Sequence, residues 1–402
     1  MLPLLAAALL TIGEASARYT ANLPAKLTPG PVTADYITAS LDQSDLDSPK
    51  LSHSNASTFD WWHFDAIALE NTNASVAITF SNGGPAGFPL SYPPTNSSLP
   101  GNGTGAAEAH LQEEQEDHAI WAHLWITFPD GRKFHHSQRA DSARLHGSGD
   151  SSVAIWHGVG GWMGSEEGYE VEIGMQQPEK KVNVTGRISM ERITPPHSLC
   201  SDAANFSTNL ALGDQGLGWV GILPDAIAHV DVSVNGEKLM FEGYGYHDKV
   251  CCLPLVPITT LAPHIPVHRI PLLIWSSKPF TSSTKSLTRG RAHLGLYSLL
   301  WLSYTPSNSS AQIVSSFLSR DGTTVSAGCE AGSVRINPGT EQTEGGPVSG
   351  FQIAFPGAQV SVATDMEESE SNGGHVRWVG RARGVLEGND EEGGAIFERF
   401  EY

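Results

Sequence analysis

The chain has 402 residues, 40% of them apolar, and a formal net charge of −19. That length exceeds one ordinary sheet domain and accommodates two. So acidic a surface repels phosphate backbones and anionic lipid, which argues against nucleic-acid binding and for solvated loops at the acidic runs.

Residues 1–17 read as a secretory leader: Leu2–Ile12 is an apolar run, and Ala15-Ser16-Ala17 is a small-residue cleavage site before Arg18. Residues 18–55 are polar and rich in Pro and Ser, and predict an extended lead-in. Phe59–Ala66 then places four large rings within six residues. As a strand it sets Trp61, His63 and Asp65 on one face and Trp62 and Phe64 on the other. It reads either as an aromatic core strand or as a ligand-contacting surface. Ser75–Ser81 alternates through Val76, Ile78 and Phe80, and residues 85–110, rich in Pro, Gly, Asn and Ser, read as a surface excursion. Ile120–Phe128 is an apolar strand closed by the turn Pro129-Asp130-Gly131. His135 and His136, adjacent on a strand, point to opposite faces and do not share a metal.

Tyr169–Gly174 and Val182–Ile193 alternate again. His229–Gly243 is a hairpin around Asn235-Gly236. It runs into Gly243-Tyr244-Gly245-Tyr246-His247-Asp248, where glycines let backbone or ligand approach closely; a sheet-edge turn capped by Asp248 is the alternative. Val250–Thr288 breaks the composition, because it holds no acidic residue and no strand alternation. Beyond it we expect Thr323–Ala327 to pair with Ser333–Ile336, and Phe351–Phe355 with Gln359–Thr364. His375–Leu386 and Ala395–Phe400 close the chain. The plentiful Gly (42) and Pro (25) suit many short strands joined by tight turns. The class is therefore all-β, in two sandwich or barrel units: 18–218 and 219–402.

Seven glycosylation sequons, at Asn55, Asn73, Asn96, Asn102, Asn183, Asn205 and Asn308, agree with passage through the secretory pathway. No stretch after the leader is long enough to span a bilayer, so no stable membrane insertion is expected. The four cysteines are Cys200, Cys251, Cys252 and Cys329, too few for a disulfide framework; Cys200–Cys329 is one conceivable bridge. The chain carries no G-x-S-x-G elbow, P-loop, H-E-x-x-H or dinucleotide fingerprint.

Several segments together resemble the fungal Diels–Alderases, a family similar to the carotenoid-hydratase and lipocalin-like superfamily. They are Trp61-Trp62-x-Phe64-Asp65, Gly243-Tyr-Gly-Tyr-His-Asp248, and Gly290-Arg-Ala-His-Leu-Gly295 running into Tyr297–Trp301. Pro224-Asp225-Ala226, Arg377–Gly380 and Phe397-Glu398 support them. The resemblance implies an N-terminal β-sandwich-like domain, a C-terminal lipocalin-like barrel and a pocket between them. It implies stereoselective intramolecular [4+2] cycloaddition of a linear polyene, a polyketide–amino acid hybrid, into a decalin or a cytochalasan-type macrocycle, with no cofactor. By motif, Asp65, Tyr246 and Asp248 take catalytic roles, while Trp62, His247, Tyr297, Trp301 and Arg381 contact the substrate. Such a reaction moves no proton and needs no nucleophile. It needs a pocket that folds one molecule onto itself, with a few donors aimed at a carbonyl.

The family pattern continues past Tyr-His-Asp with Asn-Trp-Gly, where this chain reads Lys249-Val250-Cys251-Cys252. Residues 250–288 therefore read as an atypical insertion or as translated intron, since Val250-Cys251 can be encoded as a splice donor and Ser286–Arg289 as a branch point and acceptor. Two other functions fit the same residues. One is a secreted lipocalin-like carrier of hydrophobic ligands without turnover. The other is a hydratase or cyclase using Asp65 or Asp248 as proton donor.

Overall fold

A computed structural model describes residues 17–35, 38, 40–70, 74–85, 87, 117–199, 210–212, 217–252, 280–338, 350–355, 360–372, 374–386 and 388–402. The first strands are Ala17–Pro24 (β1), Phe59–Ala68 (β2), Ser75–Gly83 (β3), Ile120–Thr127 (β4), Lys133–Arg139 (β5) and Ser142–Ser148 (β6). Next come Ser151–Trp156 (β7), Gly160–Ser165 (β8), Gly168–Gln177 (β9), Val182–Arg192 (β10), His197–Ser198 (β11), Leu217–Val234 (β12) and Glu237–Cys252 (β13). The remainder are Thr284–Leu294 (β14), Tyr297–Pro306 (β15), Ile313–Arg320 (β16), Thr323–Gly328 (β17), Arg335–Pro338 (β18), Phe351–Phe355 (β19), Val360–Asn372 (β20), His375–Leu386 (β21) and Asn389–Glu401 (β22). Helix among the described residues is confined to short turns such as Gln43–Leu46 and Phe280–Ser283, and none is long and apolar enough to cross a membrane.

The fold is all-β. The first sheet runs β1-β6-β7-β8-β9-β10-β12-β13-β2-β3-β4-β5, with β11 on β12, and the second runs β17-β16-β15-β14-β22-β21-β20-β19-β18. The first sheet curls over itself, so that Trp62 of β2 meets Trp156 of β7 and Trp162 of β8 with ring centroids 5.4 and 5.6 Å apart. That closure makes a sandwich-like core from strands five and six places apart in the ladder. The second sheet wraps Tyr297, Trp301, Phe351, Trp378 and Phe397 around its own core. Its two end strands, β17 and β18, approach where the Ser333 hydroxyl donates to the Gly328 carbonyl at 3.3 Å.

Local sequence explains several elements. The second half of β12 alternates buried Ala226, Ala228, Val230 and Val232 with exposed Ile227, His229 and Asp231, as a strand wetted on one side must. Its turn places Asn235 and Gly236 at φ 53° and 89°, the left-handed pair that a two-residue hairpin requires. β2 is buried along its whole length, because the second sheet covers the face that the first sheet's core leaves open.

The structure corrects four expectations. The boundary near residue 218 falls inside β12; the β12–β13 hairpin belongs to the first sheet, which extends to Cys252. The lead-in is a paired strand, β1 on β6, followed by a turn whose Leu46 and Asp47 are fully buried. The ends of the 250–288 segment are also strand: Val250–Cys252 pairs with β2, and Thr284–Thr288 is held by β15, with Ser286–Thr288 also on β22. Ladder bonds with these neighbours impose a strand that the Thr-Lys-Ser-Leu-Thr sequence does not announce; residues 253–279 lie outside the described set. Lastly, β17 pairs with β16 and β18 with β19, so the expected hairpin between 323–327 and 333–336 is absent.

Candidate active site

β2 and β13 are adjacent antiparallel strands in which Asp65 faces Tyr246 and His63 faces Asp248. Gly243 permits the pairing, since a Cβ there would lie 1.9 Å from the Ile67 carbonyl oxygen. The period of two puts Trp61, His63, Asp65, Tyr246 and Asp248 on the face turned to the second sheet. From that sheet β14 supplies Arg289 and Arg291, β22 supplies Glu398, and β21 supplies Arg377.

Three carboxylates thus meet three guanidiniums. The Arg291 Nε and Nη2 groups donate to Asp65 Oδ1 at 2.8 and 2.6 Å. Arg289 Nε donates to Glu398 Oε2 at 2.6 Å, and its Nη1 donates to Asp248 Oδ2. Arg377 lies 3.6 Å from Asp65 and 3.8 Å from Glu398. The Tyr246 hydroxyl donates to Asp248 Oδ2 at 2.9 Å, and Trp219 Nε1 donates to the same oxygen at 3.2 Å. Asp248 Oδ1 is buried without a hydrogen-bond partner among the described residues. His63 Nε2 donates to Asp65 Oδ2 at 3.1 Å, and its Nδ1 lies 2.8 Å from the Thr79 hydroxyl. None of these charged or titratable groups is more than 5% exposed, so their interactions are little screened by water.

The electrostatics follow from those contacts. Burial pushes the Asp65 pKa up, but Arg291, His63 and Arg377 outweigh it and hold the carboxyl at about 2. Burial likewise raises the Glu398 pKa, and Arg289 and Arg377 bring it well below the usual carboxylate range. Burial, then the charge of Asp248, raises the Tyr246 pKa well above the usual value, so the phenol keeps its proton. Burial and the Arg289 charge lower the His63 pKa, which leaves a neutral ring at pH 7. Asp65, Tyr246, Arg289, Arg291 and Glu398 line a cavity of about 10 Å³, room for roughly one water. Beside it Trp61, Trp219, Phe280, Phe317 and Phe400 form an apolar wall drawn from both sheets. Among the described residues no group of His, Cys, Asp and Glu is arranged to hold a metal ion. Chemically the cluster offers a proton donor, carboxylates to face a developing cation and guanidiniums to face a developing anion.

The sequence-derived residues separate into two sets. Asp65, Tyr246 and Asp248 meet in this cluster. Trp62 lies on the opposite face of β2, with its Nε1 donating to the Asp47 carbonyl inside the first core. His247 faces that core too, stacked on Phe64 at 3.9 Å, its nitrogens donating to the His63 carbonyl and to Asp47. Both residues are moved off the site by strand alternation. Tyr297 and Trp301 point into the second sheet's own core, and the Trp301 ring covers Gly290. Arg381 shares a strand face with Arg377 but sits four residues further along, half-exposed and paired with Glu392. Of the sequons, Asn183 and Asn308 are exposed and Asn55 is half-buried, its side-chain nitrogen donating to the Gly30 carbonyl. Asn73, Asn96, Asn102, Asn205 and Cys200 lie outside the described residues; Cys329 is disulfide-bonded and Cys251 is a buried free thiol.

The residues not anticipated are Arg289, Arg291, Arg377, Glu398 and His63. Part of their signal was available: Arg289 and Arg291, at i and i+2 in an otherwise strand-like segment, imply buried partners.

Comparison with known proteins agrees with this architecture. The Diels-Alderase-like family model matches residues 115–253. The quinolone epoxide rearrangement protein asqO of Emericella nidulans is 26% identical over 373 residues, covering 90% of this chain and 88% of its own. The quinolone epoxide rearrangement protein penF of Penicillium thymicola is 26% identical over 383 residues, covering 90% of each chain. The crystal structure of CghA with Sch210972 superposes with a TM-score of 0.63 over 95% of this chain and 98% of CghA, at 13% identity, a likeness of fold. The matched residues carry the strands from β4 through β13, including Tyr246-His247-Asp248, and over them the chain is similar to the Diels-Alderase-like family.

Proposed function

We propose that the protein isomerises an electrophilic fungal secondary metabolite at the interface of the two sheets, and that its substrate is an epoxide carried on a quinolone. The observation that carries this reading is the charge-balanced cluster around Tyr246, Asp248 and Asp65. A pericyclic step uses only a few donors aimed at a carbonyl, whereas an epoxide rearrangement also draws on the proton donor and the buried carboxylates. The two relatives named for quinolone epoxide rearrangement support it.

In this reading the Tyr246 hydroxyl turns from Asp248 and delivers its proton to the epoxide oxygen. The carbon–oxygen bond breaks with its electron pair moving to oxygen, which leaves a cation on the neighbouring carbon. A substituent migrates to that carbon with its bonding pair. The oxygen-bearing carbon becomes a carbonyl as its hydroxyl proton returns to Tyr246. Substrate and product are isomers, so the step balances without a co-reactant. Asp65, Asp248 and Glu398 stabilise the cation, and Arg289 and Arg291 stabilise the transient phenolate. A quinolone needs several hundred Å³, so binding loosens the contacts between the sheets around the present cavity of about 10 Å³.

The test is incubation of the full chain with a quinolone epoxide, with product followed as a species of equal mass and new retention. Tyr246→Phe should lower kcat/KM by roughly 10²–10⁴-fold with the fold retained by circular dichroism. An unchanged rate removes Tyr246 from the chemistry. The apolar wall of Trp61, Phe280, Phe317 and Phe400 favours a second reading, the [4+2] cycloaddition of a linear polyene. Cyclisation of such a polyene with a fixed stereochemical ratio, and no turnover of the epoxide, would establish it. The leader and the exposed sequons at Asn183 and Asn308 support a secretory route for either enzyme.

A further inference from the structure

β14 separates two different chemical environments. Arg289 and Arg291 point to the interdomain cluster, while Ser286 and Thr288, one strand face away, line a cavity of about 390 Å³ on the other side of the sheet. The two spaces do not merge: Gly290 borders the interdomain cavity, and the Trp301 ring lies against that same glycine from the barrel side. The larger cavity falls within the usual range for small-molecule sites.

Its walls are graded in polarity. At the floor Phe351 and Phe397 stack with centroids 4.1 Å apart, and both are buried. Ser286, Thr288 and Ser303 place three hydroxyls along β14 and β15. Ser303 Oγ accepts a hydrogen bond from Gln312 at 2.6 Å, which leaves its own O–H to donate. At the mouth stand Arg335 and Arg399. Arg335 makes no ion pair among the described residues, and Arg399 is 3.6 Å from Glu401 on the exposed rim. Among the described residues no Asp or Glu lines it, although the chain as a whole carries a charge of −19. A cleft of positive sign in so negative a molecule concentrates anions. Guanidiniums and hydroxyls recognise a carboxylate, enolate or sulfonate, and stacked phenyl rings receive a flat conjugated body.

We propose that this cavity is a second ligand site, separate from the interdomain cluster, that binds an organic anion with an aromatic or polyene body. It does not depend on the reaction assigned to the interdomain site.

The experiment uses the full chain and two dyes of similar body, anionic 1-anilinonaphthalene-8-sulfonate and neutral N-phenyl-1-naphthylamine. Binding is read by dye fluorescence and by energy transfer from tryptophan, since Trp378 lies under the Arg399 guanidinium at 5.4 Å. The sulfonate should saturate at one site and bind more tightly than the neutral dye. The double variant Arg335→Gln/Arg399→Gln should weaken the sulfonate about tenfold or more, the scale of one lost charge-assisted contact, and change the neutral dye by less than about twofold. Ser303→Trp, which fills the cavity, should abolish saturable binding of both dyes with the fold retained by circular dichroism. Sulfonate binding that ignores the arginine substitutions, persists in Ser303→Trp, or never saturates would overturn the proposal.

Discussion

On one face of the β2–β13 ladder stand Trp62, Phe64, His247 and Lys249; on the other stand Trp61, His63, Asp65, Tyr246 and Asp248. Both faces are buried and both mix aromatic rings with charge. They differ in where the partners come from. On the first face His247 binds Asp47 and the His63 carbonyl, and Lys249 pairs with Asp60 over the Trp62 ring, all within the first sheet's own core. On the second, Asp65 and Asp248 take their guanidiniums from another sheet, and one oxygen of Asp248 has no partner among the described residues. Partners within one sheet stay together when the sheets part. Partners across sheets are released to whatever enters between them. Under the proposed function the first face serves stability and the second chemistry.

The largest effects should fall on the first face. Trp62→Ala removes a fully buried indole from the Trp156–Trp162 cluster and should cost about 3–5 kcal/mol in urea unfolding. His247→Gln removes the ring hydrogen-bonded to the buried Asp47 carboxylate and stacked on Phe64, and should cost a similar amount. Turnover per folded molecule should change little in either variant. A variant of this face that stays stable yet loses activity would break the division.

An intermediate effect is expected in acid. The folded pKa of Asp65, about 2, lies below its unfolded value near 3.9. The folded state therefore binds fewer protons. The stabilisation from Asp65 is complete above about pH 4 and is lost as pH falls through 2, in all about 3 kcal/mol. Unfolding free energy measured from pH 5 to pH 2 should fall less steeply in Asp65→Asn than in the parent chain. Equal slopes would mean that the cross-sheet pairs do not hold the two sheets together.

How much of this was legible follows from period and distance. Strand alternation alone places Trp61, His63 and Asp65 on one face of β2, and Asn235-Gly236 announces its hairpin. The domain boundary was not legible, because the apolar stripe of β12 looks the same whichever sheet it joins. β14 was not legible in its first half for a related reason. Its strand is imposed by β15 on one side and β22 on the other, and its arginines are tolerated inside only because Asp65, Asp248 and Glu398 arrive from distant strands. Arg291 and Asp65 are 226 residues apart in sequence, beyond the reach of any local pattern. A linear motif also cannot divide itself between faces: Tyr246-His247-Asp248 reads as one unit, yet its central residue belongs to the core.

The smallest effect concerns how His63 is aimed. Asp65 is an acceptor, so the His63 Nε2 carries the proton and Nδ1 must accept from the Thr79 hydroxyl, 2.8 Å away on the paired strand β3. Thr79→Val keeps the shape and removes that donor, leaving a buried nitrogen unpaired. The expected cost is about 1 kcal/mol of stability. Nitrogen NMR of the ring should lose its single tautomer, and turnover should fall several-fold because Asp65 is no longer held at one angle. Thr79→Ser keeps the hydroxyl and should restore both signals. If valine leaves the tautomer and the rate unchanged, then Asp65 with Arg291 fixes the ring alone, and the second face is organised wholly from across the sheets.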